Sequence, residues 1–403
     1  MDGQTQWTIL VFLNAKNNLE RWAFSNFAQM ASIGSTPEVK LVVEMGRPTH
    51  HYSDKFGAWS KTLRFVVEKK MDPVEASAKQ DLGATNMGDA KTLVDFVSWG
   101  RKTYPARHTM LVIWNHGQGF RAPTEPGDAK PPPPAVPHAG HRYVSNDDDT
   151  GDKLYNRAIQ ERLTEYLAGE RLDVIAFDAC LMSMVETAYA LRGIGKVMVG
   201  SEELEPGNGW NYTRWLKPLV AAKGKVNPVE LARLVVNGMR EEYGDKDFTT
   251  LAATDLDKVA ALAASISAFA EAAKSQLAQD KEKFITARKA CLNYGQDYGI
   301  HSIDLAHYME QVARGNFNGA LKQRANDVIH RVGEAIVENY ASEKRKGEWG
   351  SNGLGIYYPD RAASYHADPD GDGYAADNNL FPVEFVEKEA WSSFLREYWK
   401  LVP

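Results

Sequence analysis

Two residues of the chain, Cys180 and His116, have the types and positions needed to hydrolyse a peptide bond together. Cys180 follows an apolar run, Leu172–Asp178, that predicts a buried strand, and His116 follows a second such run, Thr109–Trp114. Both residues are therefore expected at the carboxyl edge of a parallel sheet, where α/β proteins place their ligands. A cysteine nucleophile needs a base within hydrogen-bond reach of its thiol. Taken singly, the alternatives are a packing cysteine and a solvated loop histidine.

The residues next to this pair fit the same chemistry. Gly117 lets a substrate approach the backbone, and its N–H could donate to an oxyanion. A helix predicted over Leu181–Leu191 would place Cys180 near a helix N-terminus, which favours the thiolate. Asp178 shares a strand face with Cys180, so its carboxylate could receive a cationic side chain of the substrate. The alternative role for Asp178 is to cap the helix that begins at Leu181.

Alternating apolar and amphipathic segments predict an α/β sandwich around these residues. Several of the strand candidates are apolar on both faces, which suits a sheet covered by helices on both sides. The strand candidates are Trp7–Leu13, Val39–Glu44, Leu63–Val67, Thr109–Trp114, Leu172–Asp178, Lys196–Gly200 and Leu354–Tyr358. The helix candidates are Asp89–Lys102, Asn156–Ala168, Leu181–Leu191, Val259–Ala273 and Trp391–Lys400.

Two regions are expected along the chain. Residues 1–225 should form the α/β core, and residues 226–403 a mainly helical C-terminal region that closes with a strand and a helix. Residues 121–142 contain the run Pro131–Pro134 and two glycines, so they predict an exposed loop inside the core region.

Composition narrows the function classes. The 403 residues are 43% hydrophobic and 25% charged, as in ordinary globular proteins, and the net charge of -6 gives no indication of a nucleic-acid partner. No apolar run is long enough to predict a membrane-spanning helix. The apolar run Trp7–Leu13 lacks a basic leader, so it predicts a strand and favours a cytoplasmic location, with secretion if a leader has been removed. The two cysteines exclude a disulfide scaffold and a cysteine-rich zinc site.

Five short motifs occur in a defined order along most of the chain. They are Trp7–Glu20 with its Asn-Asn-Leu-Glu ending, Asn86–Asp89, Trp114–Gly117, Asp178–Met182 and Ser201–Trp210. In order and spacing they resemble the clostripain family of cysteine peptidases, which are relatives of the caspases, legumains and gingipains. The resemblance implies a three-layer caspase-like sandwich with a mostly parallel sheet and helices on both faces, plus a largely helical C-terminal subdomain.

The resemblance also implies roles for individual residues. His116 and Cys180 become a catalytic dyad, with the backbone N–H groups of Gly117 and Cys180 as oxyanion donors. Asp178 lies at the base of the first specificity pocket, so the implied partners are proteins or peptides with Arg or Lys at P1. A buried carboxylate partner of this kind discriminates by roughly 2–5 kcal/mol. The sequence indicates no third member, and neither Asn115 nor Asp178 is assigned that role.

The chain departs from the family pattern at two positions. Lys16 stands where the family usually has Asp, and Asn208 stands where it commonly has an acidic residue in the specificity pocket. The substrate-binding set is therefore predicted as Asp178, Glu203 and Asn208, with one negative charge fewer and a weaker or broader preference for Arg and Lys. Glu203 and Glu205 are near enough in sequence to compensate.

Two further segments carry predictions. Family members are often activated by cleavage between the histidine and cysteine motifs, and the first candidate in the 121–142 loop is the bond after Arg142; the alternative is an unprocessed insertion. Asp368, Asp370 and Asp372 have the D-x-D-x-D-G spacing of a calcium loop, and the alternative is a solvated acidic turn. The peptidase chemistry itself requires no cofactor.

Two other function classes compete with a peptidase. The first is a catalytically silent, peptidase-like binding protein, against which the presence of both Cys180 and His116 argues. The second is a calcium-dependent surface protein, which rests on the acidic loop alone. Serine and metal hydrolases are poorly supported, because neither G-x-S-x-G nor H-E-x-x-H occurs.

Overall fold

The computed structural model describes residues 4–117, 143–245, 248–295, 301–343, 350–367, 374 and 384–403. Its strands are β1 Trp7–Asn14, β2 Val39–Gly46, β3 Thr62–Val66, β4 Gln80–Asp81, β5 His108–Gly117, β6 Tyr143–Asp147, β7 Asp152–Tyr155, β8 Leu172–Cys180, β9 Gly195–Gly200, β10 Thr250–Asp255, β11 Ser302–Asp304, β12 Ile336–Ala341 and β13 Gly355–Tyr357. Its helices are α1 Glu20–Ile33, α2 Ala90–Thr103, α3 Asn156–Leu167, α4 Val185–Leu191, α5 Tyr212–Ala221, α6 Pro228–Tyr243, α7 Val259–Lys274, α8 Leu277–Lys289, α9 Leu305–Arg314, α10 Gly319–Ala335, α11 Ala362–Ala367, α12 Glu384–Lys388 and α13 Trp391–Leu401.

One large sheet organises the described part of the chain. Its strand order is β12-β10-β9-β8-β5-β1-β2-β3-β4. The five central strands, from β9 to β2, are parallel, whereas the pairs at either edge are antiparallel. The predicted α/β sandwich with a mostly parallel sheet is therefore confirmed. Strands β5 and β8 are neighbours at its centre, so their carboxyl ends meet.

Both faces of this sheet are apolar. Side chains alternate between the two faces along each central strand, and apolar residues occupy both sets of positions. In β8, Ile175 and Phe177 join a cluster with helices α2, α3, α4 and α7 to α10, whereas Val174 and Ala176 join a second cluster with α1, α5 and α6. Each buried side chain of this kind contributes about 1.5–3 kcal/mol. The continuous hydrophobic runs of the sequence predict strands of this kind, which are apolar on both faces.

The sheet continues into the region predicted to be mainly helical. Strands β10 and β12, both after residue 225, extend the sheet beyond β9 by antiparallel pairing. The strand predicted at Leu354–Tyr358 is seen as β13, which pairs with β11 in a separate two-stranded sheet. The division into 1–225 and 226–403 stays a prediction, but the sheet itself runs across that boundary.

The helices of the described residues include none that is both long enough and apolar enough to cross a membrane. The cytoplasmic location predicted from the N-terminal residues, with secretion as its alternative, stays a prediction.

Candidate active site

The ends of β5 and β8 bring together His116 and Cys180, the predicted base and nucleophile. The ladder pairs Trp114 with Asp178 and Gly117 with Cys180, so three steps along β5 match two along β8. This irregularity is a β-bulge at Asn115 and His116, and bulges of this kind redirect side chains at the edge of a sheet. His116 therefore lies directly before the residue that faces Cys180.

Gly117 is the point of closest approach between the two strands. Its φ is +74°, which disfavours any residue with a side chain. A Cβ atom at this position would overlap the backbone nitrogen and oxygen of Cys180. The close approach thus needs glycine for two separate reasons, conformation and space.

His116 is almost fully buried and is held by two asparagines. Its backbone N–H donates to Oδ1 of Asn115 at 2.7 Å, and its ring Nε2 lies 2.6 Å from Oδ1 of Asn18. Asn115 in turn donates from Nδ2 to the carbonyl of Asn14 at 2.8 Å. Asn18 follows β1, which neighbours β5, so sheet order brings it to the histidine. The Asn-Asn-Leu-Glu motif that contains Asn18 indicates the family, but it predicts no role for Asn18.

Cys180 has no exposed surface in this conformation. Its sulfur accepts a hydrogen bond from the backbone N–H of Glu205 at 3.2 Å. It packs in a small apolar cluster with Leu181, Tyr294 and the partly buried Leu204. The conformation is therefore a closed one, and a substrate reaches the sulfur only if part of this cover moves.

The predicted start of the helix directly after Cys180 is wrong. The helix expected from Leu181 begins at Val185, because Leu181 has a φ of +59° and Ser183 bonds to other segments instead. Ser183 donates its N–H to the carbonyl of Ser201 at 2.8 Å, and its carbonyl accepts from Gly355 at 2.9 Å. Cys180 therefore lies outside the first turn of α4, where the helix dipole acts most strongly.

Asp178 is fully buried and is not a helix cap, because the cap of α4 is Met184. Its Oδ1 accepts from the backbone N–H of Trp210 at 3.2 Å, and its Oδ2 accepts from the hydroxyl of Tyr212 at 3.0 Å. Tyr212 begins α5, whose first turn is capped by the side chain of Asn211. The segment after β9 thus folds back over the end of β8.

Three residues of that segment were candidates for the specificity pocket, and they occupy different environments. Glu205 is fully buried and its Oε1 accepts from the indole N–H of Trp210 at 3.2 Å, so one tryptophan connects it to Asp178. The Glu203 carboxylate accepts from the backbone N–H groups of Leu204 and Gly295 at 2.8 and 2.9 Å. Asn208 is exposed, and its carbonyl accepts from Asn26 at 3.1 Å.

Lys16, which replaces the usual Asp of the family, is buried beside the acidic turn between β6 and β7. Its ammonium donates to the carbonyl of Thr85 at 2.6 Å and lies 3.3 Å from Oδ2 of Asp147 and 3.8 Å from Oδ2 of Asp149. Asp147 also accepts from the backbone N–H of Met87 at 2.9 Å. A lysine side chain therefore provides the cation that holds this turn against the loop carrying Asn18.

The second cysteine is unsuited to nucleophilic chemistry. Burial raises the pKa of the Cys291 thiol to about 12, so it stays protonated at neutral pH. Its sulfur donates to the carbonyl of Ala287 at 3.5 Å. This leaves Cys180 as the candidate nucleophile.

Several predicted residues lie outside the described part of the chain. They are the 121–142 loop with Arg142, and the acidic loop with Asp368, Asp370 and Asp372. Among the residues that are described, no group of three or more His, Cys, Asp or Glu side chains is arranged to hold a metal ion. The calcium prediction stays a prediction.

A cysteine and a histidine at adjoining strand ends of an α/β sandwich are typical of the class of cysteine peptidases. Residues 11–399 match the sequence profile of the clostripain family, and the chain belongs to that family. It is accordingly a hydrolase, a cysteine peptidase that acts on peptide or protein substrates. The resemblance inferred from the five motifs is confirmed.

Similarity to individual proteins extends over most of the chain. Clostripain from Hathewaya histolytica is 24% identical over an alignment of 424 positions, which covers 89% of this chain and 75% of that protein. A secreted C11 cysteine protease from Bacteroides thetaiotaomicron, solved with an irreversible peptide inhibitor, has 18% identity and a TM-score of 0.63 over 97% of this chain and 99% of its own. An inactive zymogen C11 protease from Parabacteroides distasonis has 18% identity and a TM-score of 0.64 over 96% and 99%. The solved structures confirm the fold.

Proposed function

We propose that this peptidase cleaves peptide bonds after Arg or Lys, with Cys180 as nucleophile and His116 as its acid–base partner. The observation that carries the proposal is the register of β5 and β8, which sets Gly117 opposite Cys180 with Asp178 buried two residues earlier. Nucleophile, base and acidic pocket residue are thereby gathered on two neighbouring strands.

The chemistry is acyl transfer in two halves. His116 takes the proton of Cys180, and the thiolate attacks the scissile carbonyl carbon while the backbone N–H groups of Gly117 and Cys180 stabilise the oxyanion. The C–N bond then breaks, and His116 gives the proton to the leaving amine. A water molecule, deprotonated by His116, hydrolyses the thioester and restores the thiol. Acid–base help of this kind is worth roughly 10²–10⁴-fold in rate.

The preference for a basic P1 residue rests on Asp178 with Glu205 in support. Asp178 accepts hydrogen bonds from the N–H of Trp210 and the hydroxyl of Tyr212, and both bonds stabilise its negative charge. Glu205 bonds to the same tryptophan and brings a second buried carboxylate to this segment. It can therefore replace the acidic residue that the family commonly has at position 208.

The test is a panel of fluorogenic peptides that differ only at P1. Wild type should cleave after Arg and Lys, Cys180→Ala should be inactive, and Cys291→Ala, the other buried cysteine, should retain activity. Asp178→Asn should lower kcat/KM for the basic peptides by about 30-fold or more, equivalent to about 2 kcal/mol. Thermal melting of each variant checks that it folds. Cleavage by Cys180→Ala, or a wild type that prefers apolar P1 residues, would overturn the proposal.

We also propose that the chain is cut after Arg142 by its own activity, as a step towards opening the closed site. The buried state of Cys180 supports this, since a closed site suits a precursor, and a related C11 protease is described as an inactive zymogen. Mass spectrometry should find the chain cut after residue 142 in wild type. The cut should be absent from Cys180→Ala, and Arg142→Gln should not be cut at that bond. An intact wild-type chain with full activity would contradict it.

A further inference from the structure

The contact between His116 and Asn18 has a direct consequence for the protonation of the ring. Nε2 of His116 lies 2.6 Å from Oδ1 of Asn18, and a carboxamide oxygen only accepts hydrogen bonds. Nε2 therefore carries a proton in the neutral imidazole. Nδ1 is then the basic nitrogen, because the hydrogen bond at one ring nitrogen fixes the role of the other.

Asn18 is held firmly enough to impose this tautomer. It lies in the turn between β1 and α1, and both of its preceding neighbours are anchored to other elements. Asn17 donates from Nδ2 to the carbonyl of Asn146 at 3.1 Å, while its own Oδ1 accepts from the N–H of Leu19 at 3.0 Å. Lys16 donates to the carbonyl of Thr85. A side chain on a pinned turn positions its partner better than one on a free loop.

We propose that Asn18 is a positioning residue for the hydrolysis, resting on the proposed roles of His116 and Cys180. By accepting the Nε2 proton, it keeps the ring in one orientation and leaves Nδ1 to take the thiol proton. When the imidazolium forms, both ring nitrogens are donors and the Asn18 oxygen still accepts from Nε2. Asn18 thus serves both states of the histidine while contributing no charge of its own.

Two variants of similar size separate this role from simple packing. Asn18→Leu keeps the shape but removes the acceptor, and we expect kcat to fall by about 10- to 100-fold, as for other groups that orient a reacting residue, with KM little changed. Asn18→Asp keeps an acceptor and adds a negative charge, which favours the imidazolium. It should retain more activity than Asn18→Leu, and the limb of the pH–rate profile that reports His116 should move to higher pH.

Asn318→Leu is the matched control. Asn318 caps α10 by accepting from the N–H of Leu321 at 2.8 Å, so its loss lowers stability as caps do. This variant should melt at a lower temperature with kcat unchanged. A fall in kcat as large as that of Asn18→Leu would show that general destabilisation explains both.

Nitrogen-15 NMR of the histidine ring, measured in the Cys180→Ala background, tests the tautomer without any turnover. His116 should show a protonated Nε2 and an unprotonated Nδ1, and Asn18→Leu should shift the ring towards a mixture of tautomers. Unchanged tautomer populations and unchanged kcat in Asn18→Leu would overturn the inference. Failure of the peptidase proposal is recognised separately, since it appears as cleavage by Cys180→Ala whatever the ring signals are.

Discussion

Because Gly117 has no side chain, β5 can approach the backbone of β8 closely at Cys180. We expect Gly117→Ala to lose about 2–5 kcal/mol of stability, the sum of a positive φ and overpacking against Cys180, and to lose most of its activity. Gly151→Ala is the matched control, because Gly151 has nearly the same φ, +73°, but open space around its missing Cβ. Chemical denaturation and peptide cleavage measure both variants. Equal losses in the two would contradict a steric role for Gly117.

The sequence predicts the positions of residues that stand at strand ends. It does not predict residues that reach the site from distant parts of the chain. Cys180, His116 and Asp178 end or follow apolar runs that predict central strands, so their meeting at a sheet edge could be inferred. Asn18 is 98 positions from His116, and the residue type alone does not predict that the two are in contact. Glu205 could be named as a nearby acid, but its connection to Asp178 through a tryptophan required coordinates.

At the scale of elements, the turn that carries Asn18 is held by a lysine buried against the β6–β7 hairpin. The Lys16 ammonium is 3% exposed and Asp147 is fully buried, so Lys16→Met leaves a buried carboxylate without its cation. We expect a loss of about 3–5 kcal/mol in chemical denaturation, of which Lys16→Met combined with Asp147→Asn should recover part. Lys91→Met, which breaks the exposed pair with Asp95, should cost far less. Similar losses for the two lysines would contradict this account.

Element boundaries show where tertiary bonding overrides local pattern. The apolar run after Cys180 predicts a helix from Leu181, yet Ser183 bonds to Ser201 and Gly355 and the helix begins only at Val185. Strand β12 was missed because it follows α10 without a break, and β10 because Thr250–Asp255 is rich in threonine and alanine. Strand β10 forms by pairing with the edge of β9, and β12 by pairing with β10, and no local sequence signal encodes these pairings.

At the scale of the molecule, a carboxylate clip fastens α12 to the core. Glu384 accepts two bonds from Arg192, at 2.8 and 2.9 Å, and one from Gln160 at 2.6 Å. These bonds, above all those from Arg192, together with one from Lys388, lower the pKa of Glu384 from 4.5 to about 2. Because the folded pKa is depressed, the stabilisation is complete above pH 4.5 and is lost as pH falls towards 2.

Glu384→Gln should therefore be less stable than wild type at neutral pH by about 1–2 kcal/mol, after allowance for solvent screening. The difference should shrink as pH falls from 4.5 towards 2, where the wild-type carboxyl is itself protonated. Denaturation curves between pH 3 and 7 measure this. Glu387→Gln, on the exposed side of the same helix, should show a smaller difference. Parallel curves for wild type and Glu384→Gln across this range would rule out the clip.

The strand order has a consequence for any chain that is cut between residues 118 and 142. Strands β1 to β5 would then belong to one polypeptide and β8, β9, β10 and β12 to the other, with the β5–β8 ladder as their shared seam. His116 and Asn18 would reside on the first subunit, and Cys180 on the second. Both cysteines lie after residue 142, so no disulfide can join the subunits. The cut protein would be a heterodimer with the proposed catalytic pair at its interface, and its activity would fall on dilution below the dissociation constant.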